Sequence, residues 1–365
     1  MGDAFLLDAS NRDVATVMAW ALPGCERTEV PVGDVDRFVN TVMHQRVSGL
    51  VLAAADSGAL TGWPDGIRPR LVDAHLAALR SSLAAEAASV VVSDLFRSAG
   101  VRHAVLKGCA TAQLDYPDPA TRVTGDVDVL IGRDDYALAL ATLEGAGLHR
   151  MAPAFRTGWE RRYGKDIALI GDDRVEIDLH LSLVEGYFGV VMPTSPLLDG
   201  LVRYDVAGRD IPALDTVGRL LHACVHTASS TPMRLGSAAD IVQIAGSGDV
   251  DAVDVASVAI ALRIGGAVAL GIARAWDAFG VEASELSDWA DSYRMDSIEV
   301  RAVAAFDGTA GESRWRSGLA ALPPWERPRY LLPLLVPSRA HLQHRRRSYL
   351  DHFRISARRL RLGHR

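Results

Sequence analysis

Residues 105–135 read VLKGCATAQLDYPDPATRVTGDVDVLIGRDD, and residues 175–183 read VEIDLHLSL. In the first stretch Asp126 and Asp128 stand two apart, followed by the apolar Val129, Leu130 and Ile131. The run Val127–Ile131 predicts a strand, and side chains two apart on a strand point the same way. Two like charges on one face repel unless a cation sits between them. Mg²⁺ prefers carboxylate oxygens together with substrate phosphates, so Asp126 and Asp128 become candidate metal ligands. A DxD alone is a weak signal, since two turn aspartates facing water look the same.

The surroundings sharpen it. Val101–Leu106 follows Gly100 and predicts a second strand. Leu106-Lys107-Gly108 stands where that strand meets a short helix, predicted over 108–114. A glycine there lets backbone N–H groups approach phosphate oxygens, and Lys107 adds a positive charge. Gly125 precedes the first aspartate. Arg122, four residues before Asp126, either contacts a triphosphate or pairs with an aspartate.

In the second stretch, Lys165–Ile170 and Arg174–Leu183 flank Gly171-Asp172-Asp173 and predict a β-hairpin. On the second arm Glu176, Asp178 and His180 share one face. Asp178 would complete a three-carboxylate set or accept the proton of an attacking hydroxyl. Glu176 and His180 stand ready to substitute in that role.

Outward from this unit the chain predicts helices. Asp36–Met43, Gln45–Ala55 and Leu71–Ser98 precede it, with apolar residues every three to four positions. Asp134 or Asp135 is placed to cap a helix over 136–144. After Pro193 the clearest helical pieces are Thr216–Thr227, Leu235–Ala245, Val250–Trp276 and Asp296–Phe306. The expected organisation is α+β: an N-terminal helical region over 1–98, a small mixed-sheet core over 99–190, and a C-terminal helical domain over 191–365.

Together these residues resemble a family of poorly characterised bacterial nucleotidyltransferases with a polymerase-β-like minimal fold. Its pattern is an LKG turn, a Tyr-Pro, an Arg, a D-x-D and a later Asp-x-His. Here these are Leu106-Lys107-Gly108, Tyr116-Pro117, Arg122, Asp126/Asp128 and Asp178/His180. MHQRVSGLVL (43–52), LLHACVHTASSTPMRLGSAADIVQI (220–244) and LLPLLVPSRAHL (331–342) extend the likeness. Leu181 replaces a frequent aromatic, and Ser229-Ser230-Thr231-Pro232 stands where bulkier, more basic residues are expected. The resemblance implies transfer of a nucleoside monophosphate from a nucleoside triphosphate to an acceptor, with Mg²⁺ or its substitute Mn²⁺. It brings the helical segment bearing His226 and Asp240 to the mouth of the site.

Other features receive plainer readings. His222 and His226 have a spacing that zinc can use, but no third ligand is evident. Cys109 reads as a small buried residue. Trp315, Trp325 and Tyr330 read as core cover.

The 365 residues carry a net charge of -6, which argues against a non-specific nucleic-acid binder. Residues 339–365 hold nine arginines and one acid, a local +8, and the rest carries -14. That tail reads as an amphipathic helix packed through Tyr349, Phe353, Leu360 and Leu362. Three separated cysteines and no secretory pattern at the start fit a reducing cytoplasm. No membrane span is expected, since apolar runs such as Val255–Leu270 are interrupted by charge and glycine.

Three readings compete. The first is an enzyme acting on a small molecule or peptide, as in specialised metabolism. The second is a toxin-like enzyme modifying tRNA or protein, which puts the basic tail and the cleft on one side. The third is a degenerate nucleotide-binding scaffold, disfavoured by three converging carboxylates. The nucleotide, the acceptor and the oligomeric state are not encoded legibly.

Overall fold

The computed structural model describes residues 7–30, 33–156, 158–306 and 312–362. Its strands are β1 (His103–Val105), β2 (Asp126–Ile131), β3 (His149–Arg150), β4 (Asp166–Ile170), β5 (Glu176–His180), β6 (Val202–Val206) and β7 (Arg209–Ala213). They form one mixed sheet in the order β3-β4-β5-β2-β1-β7-β6. β2 runs antiparallel to β1 and parallel to β5, and β4 and β5 form the expected hairpin. At its turn Asp173 accepts from the backbone of Val175, and Arg174 takes a left-handed φ of 61°.

The alternating side chains of β2 sort onto two faces. Val127, Val129 and Ile131 pack on Val92 and Phe96 of the helix Ile67–Ala99 and on Leu143 of the helix Tyr136–Gly145. The long helix ends at Gly100, whose φ of 73° turns the chain into β1. The other face carries the carboxylates. Beyond them Leu106 and Leu130 join a second cluster with Leu220, Leu221 and Ile241 of the C-terminal helices. The sheet is thus covered on both sides, and the polar groups of β2 lie under the C-terminal helices.

Several expectations need correction. The segment after Pro193 was expected to be helical, but β6 and β7 form a hairpin there, and β7 pairs parallel to β1. Its sequence signal is the alternation of Val202, Tyr204 and Val206 before Ala207-Gly208, both at positive φ. The helix expected over Val250–Trp276 is two helices, Ala252–Ala261 and Gly265–Phe279. They are broken where Arg263 takes a left-handed φ of 58°. Asp135 occupies the N-cap position of its helix, but its side chain makes no capping bond.

At the C-terminus a helix does span Tyr349–Leu362, yet Tyr349 and Phe353 are exposed rather than packed. The side chains of Leu360 and Leu362 lie outside the described residues. Tyr330 is buried and Trp315 packs beside it, whereas Trp325 is 78% exposed and covers nothing. Among the described residues one helix, Ile67–Ala99, is long and apolar enough to cross a membrane by length and composition alone. Here one side of it packs on the sheet through Val92 and Phe96.

Candidate active site

The parallel register places Asp126 opposite Glu176, Asp128 opposite Asp178 and Leu130 opposite His180. Cross-strand partners share a face, so the carboxylates of both strands and the His180 imidazole line one surface. Ligand atoms of Asp128, Asp178 and His180 lie within 4.8 Å of one another, the one such group among the described residues. Asp126 lies outside that group, half-buried one step along β2, where Thr124 Oγ1 donates to its Oδ1 at 3.2 Å. His222 and His226 belong to no such cluster.

Asp128 is 2% exposed. Lys107 Nζ lies 2.9 Å and His180 Nε2 2.8 Å from the same oxygen, Oδ1. A carboxylate only accepts, so Nε2 carries the proton in that bond. Burial alone would raise the Asp128 pKa, but Lys107 and His180 hold it well below the usual carboxylate range. Burial works against the Lys107 charge, yet Asp128, Asp126 and Asp178 together raise its pKa.

Asp178 has the opposite fate. Burial, followed by the neighbouring charge of Asp128, pushes it up to about 6.

Gly108 is required by its backbone. Its φ is +61°, and a Cβ added there would meet Thr124 Oγ1 at 2.6 Å. It therefore lets the turn after β1 lie flat against the turn before β2. At Gly125 a Cβ would come within 3.4 Å of Arg46 Nη1. Lys107, Gly108, Asp126 and Asp128 line a cleft of about 520 Å³, whose other walls include Arg46, Arg234 and His226. Asp178 and Glu176 are not among its lining residues. Arg46 and Arg234 had no sequence signal as site residues beyond the HQRV stretch and the exposed PMR run.

Arg122 takes the pairing role, with Asp240 as its partner. Its Nε and Nη2 reach the two oxygens of Asp240 at 2.6 and 2.8 Å, and Nη1 donates to the carbonyl of Val123 at 2.7 Å. Tyr116 donates its hydroxyl to the same carboxylate at 2.9 Å. Burial opposes the Arg122 charge, but Asp240 raises its pKa further. Asp240, 2% exposed, is thus a buried clamp between the loop before β2 and the helix Leu235–Ala245. A second buried clamp, Arg219 bidentate to Asp115 at 2.7 and 2.8 Å, ties the helix after Gly108 to the helix Thr216–Ser229.

His226 accepts or donates at Nδ1 with Ser237 Oγ, 2.9 Å away. Burial, then the charge of Lys107, holds its pKa well below 6.5, so it is neutral. His180, His222 and His226 form a file with successive ring centroids 6.3 Å apart. Cys109 is buried, and that burial pushes its thiol up to about 12, which leaves it inert.

Paired carboxylates on adjacent strands thus stand with a lysine and a glycine turn beside them, a set of groups able to hold a divalent ion. A family described as uncharacterised nucleotidyltransferase matches residues 31–280, and the chain belongs to that family. It is a nucleotidyltransferase. No curated protein sequence matches it. Among solved structures it is similar to an antigenic nucleotidyltransferase-like protein from Paracoccidioides brasiliensis, at 17% identity over 44% of this chain and 74% of that one. The TM-score of 0.30 is too low to support an argument from that likeness.

Proposed function

We propose that this nucleotidyltransferase moves a nucleoside monophosphate from a nucleoside triphosphate to an acceptor hydroxyl of a small molecule or peptide. The acceptor oxygen bonds to the α-phosphorus, the bond to the β-phosphate bridging oxygen breaks, and pyrophosphate leaves. The observation that carries this reading is the register of β2 on β5, with Asp128 opposite Asp178 beside a cleft lined by Lys107 and Gly108.

The residues fit a divalent ion, since three ligand atoms converge within 4.8 Å in a group with two carboxylates. Asp128 and Asp178 would hold it, with Asp126 the third carboxylate on the cleft side, while His180 donates its Nε2–H to Asp128 and orients it. Mg²⁺ is the favoured ion and Mn²⁺ its substitute. Such an ion supplies charge neutralisation to the phosphates and lowers the pKa of the acceptor hydroxyl.

The chain's own groups do the rest. Gly108 keeps the turn open to phosphate oxygens. Lys107 balances the carboxylates and lies in reach of phosphate charge. Asp178, ionised above about pH 6, accepts the acceptor's proton. Arg122, already committed to Asp240, shapes the cleft wall instead of gripping the triphosphate.

A cleft of about 520 Å³ falls within the range of small-molecule sites, which favours a compact acceptor over a polymer. The three cysteines are free, which supports a reducing compartment such as the cytoplasm. Calorimetric titration with each Mg²⁺–nucleoside triphosphate tests the reading. Wild type should bind one of them, and Asp128→Asn should weaken binding at least about tenfold, a loss of about 1.4 kcal/mol. Equal affinities would remove Asp128 from the site.

A further inference from the structure

A second cleft, of about 560 Å³, lies outside the site described above and shares no lining residue with it. It is walled by Arg133, Arg156, Arg161, Arg162 and Arg329, with Trp159 among them. Arg133 follows β2 by two residues, whereas Asp126 begins that strand. Seven residues of extended chain separate them by roughly 20 Å. The two clefts are therefore distinct.

The charge in this cleft is unbalanced. Arg161 pairs with Asp134 at 3.2 Å, and Arg162 pairs with Glu326. Among the described residues no carboxylate forms an ion pair with Arg133 or Arg156, and Arg329 acts on Glu326 only as a more distant charge. Arg133 donates to the carbonyls of Arg161 at 2.8 Å and Gly189 at 3.3 Å, and Arg156 donates to that of Val336 at 2.9 Å. Burial without a counter-ion pulls the Arg133 pKa down to about 10. Carbonyls orient a guanidinium but do not neutralise it, and convergent guanidiniums recognise phosphate oxygens through paired N–H donors.

The aromatic groups are already occupied. Trp159 donates its indole N–H to Tyr330 O at 2.9 Å and packs against Phe155, Tyr163 and Tyr330. Among the described residues of this cleft every aromatic ring has such ring neighbours, so the guanidiniums are its principal recognition groups.

We propose that this arginine cleft is a second binding site, which takes a small, multiply phosphorylated ligand through its guanidiniums. It stands independently of the nucleotidyl-transfer reading.

The test is calorimetry of the full chain in EDTA, with sodium tripolyphosphate and fructose 1,6-bisphosphate as separate probes. Metal-free conditions deny the carboxylate cleft the divalent ion through which it would take phosphate. Wild type should bind at least one probe, and which one separates an inorganic polyphosphate from a phosphate ester. Arg161→Glu/Arg329→Glu should lose at least tenfold in affinity. Arg46→Ala/Arg234→Ala, which removes two exposed-side cations of the first cleft, and Arg345→Glu/Arg347→Glu should bind as wild type does. Arg156→Gln/Arg329→Gln, which keeps every carboxylate pair, should lose affinity too and guards against a misfolded first variant. Three results would overturn the proposal: no binding by wild type, an equal loss in Arg345→Glu/Arg347→Glu, or a loss in Arg46→Ala/Arg234→Ala. Tighter binding of a single-stranded oligonucleotide than of either probe, lost in the same arginine variants, would assign the cleft to nucleic acid instead.

Discussion

Asp128 and Asp178 stand opposite each other on parallel strands, yet Lys107 and His180 both bond to Asp128 alone. Lys107 and His180 converge on one oxygen of that carboxylate, and Asp178 makes no ion pair among the described residues. One member of the pair is therefore held ionised well below the usual carboxylate range, and the other is pushed up to about 6. Environments that push two neighbouring carboxylates apart in this way assign them different tasks.

The asymmetry predicts opposite effects of two matched substitutions. Asp128→Asn leaves Lys107 without its buried partner and should cost about 3 kcal/mol. Asp178→Asn removes a buried charge that nothing balances and should stabilise the metal-free protein by on the order of 1 kcal/mol. Urea denaturation at pH 7.5 in EDTA measures both. Destabilisation by both variants alike would show that the two carboxylates are equivalent.

The same pair makes stability depend on pH and metal together. The Asp178 pKa is raised from 3.8 to about 6 in the folded chain. Between those values the folded protein holds a proton that the unfolded chain has released, so this group's contribution falls as pH rises. Asp128, whose pKa is lowered, stabilises above 3.8 and loses that contribution as pH falls. A divalent ion needs both carboxylates ionised. Mg²⁺ should therefore raise the melting temperature more at pH 7.5 than at pH 5.0. Equal gains at the two pH values in thermal scans would contradict metal binding at Asp178.

Arg122 and Asp240 form a clamp between the loop before β2 and a helix more than a hundred residues later. Asp240→Ala should cost about 3 kcal/mol, because it leaves a buried guanidinium unpaired. Tyr116→Phe, which removes one hydrogen bond to the same carboxylate, should cost about 1 kcal/mol. Arg122→Ala/Asp240→Ala should cost less than the sum of its single changes, as a double-mutant cycle in urea would record. Additive losses would mean that the two side chains do not act as a pair.

Gly108→Ala meets two obstacles, a positive φ and a Cβ 2.6 Å from Thr124 Oγ1. It should destabilise the protein by about 1–3 kcal/mol and weaken nucleotide binding. Adding Thr124→Ala removes the contact but not the backbone strain, so the double variant should recover only part of both losses. Full recovery, in melts and in nucleotide titrations, would show that φ does not matter there.

Much of this arrangement was legible in local sequence. The i, i+2 spacing of Asp126 and Asp128, and that of Glu176, Asp178 and His180, placed each set on one strand face. The Gly171-Asp172-Asp173 turn marked the hairpin, and Gly100 marked the end of the long helix. What local pattern could not carry was pairing across the chain. Nothing in the residues around Arg122 identifies Asp240 as its partner, and nothing in either strand declares that β2 runs parallel to β5. The β6–β7 hairpin was masked because Val202–Ala213 is short and carries Pro212, a residue that speaks against a strand. The break at Arg263 was masked because a left-handed φ at an arginine has no compositional signature, unlike one at glycine.

The most direct test follows the α-phosphate. Nucleoside triphosphates labelled there are incubated with the protein, Mg²⁺ and pools of hydroxyl-bearing small molecules and peptides. Acceptor mass and released phosphates are read together. The account predicts that label and one nucleotide mass pass to an acceptor with matching release of pyrophosphate, and that Asp126→Asn/Asp128→Asn does neither. Release of inorganic phosphate with a labelled diphosphate left behind, or transfer that persists in the double variant, would contradict it.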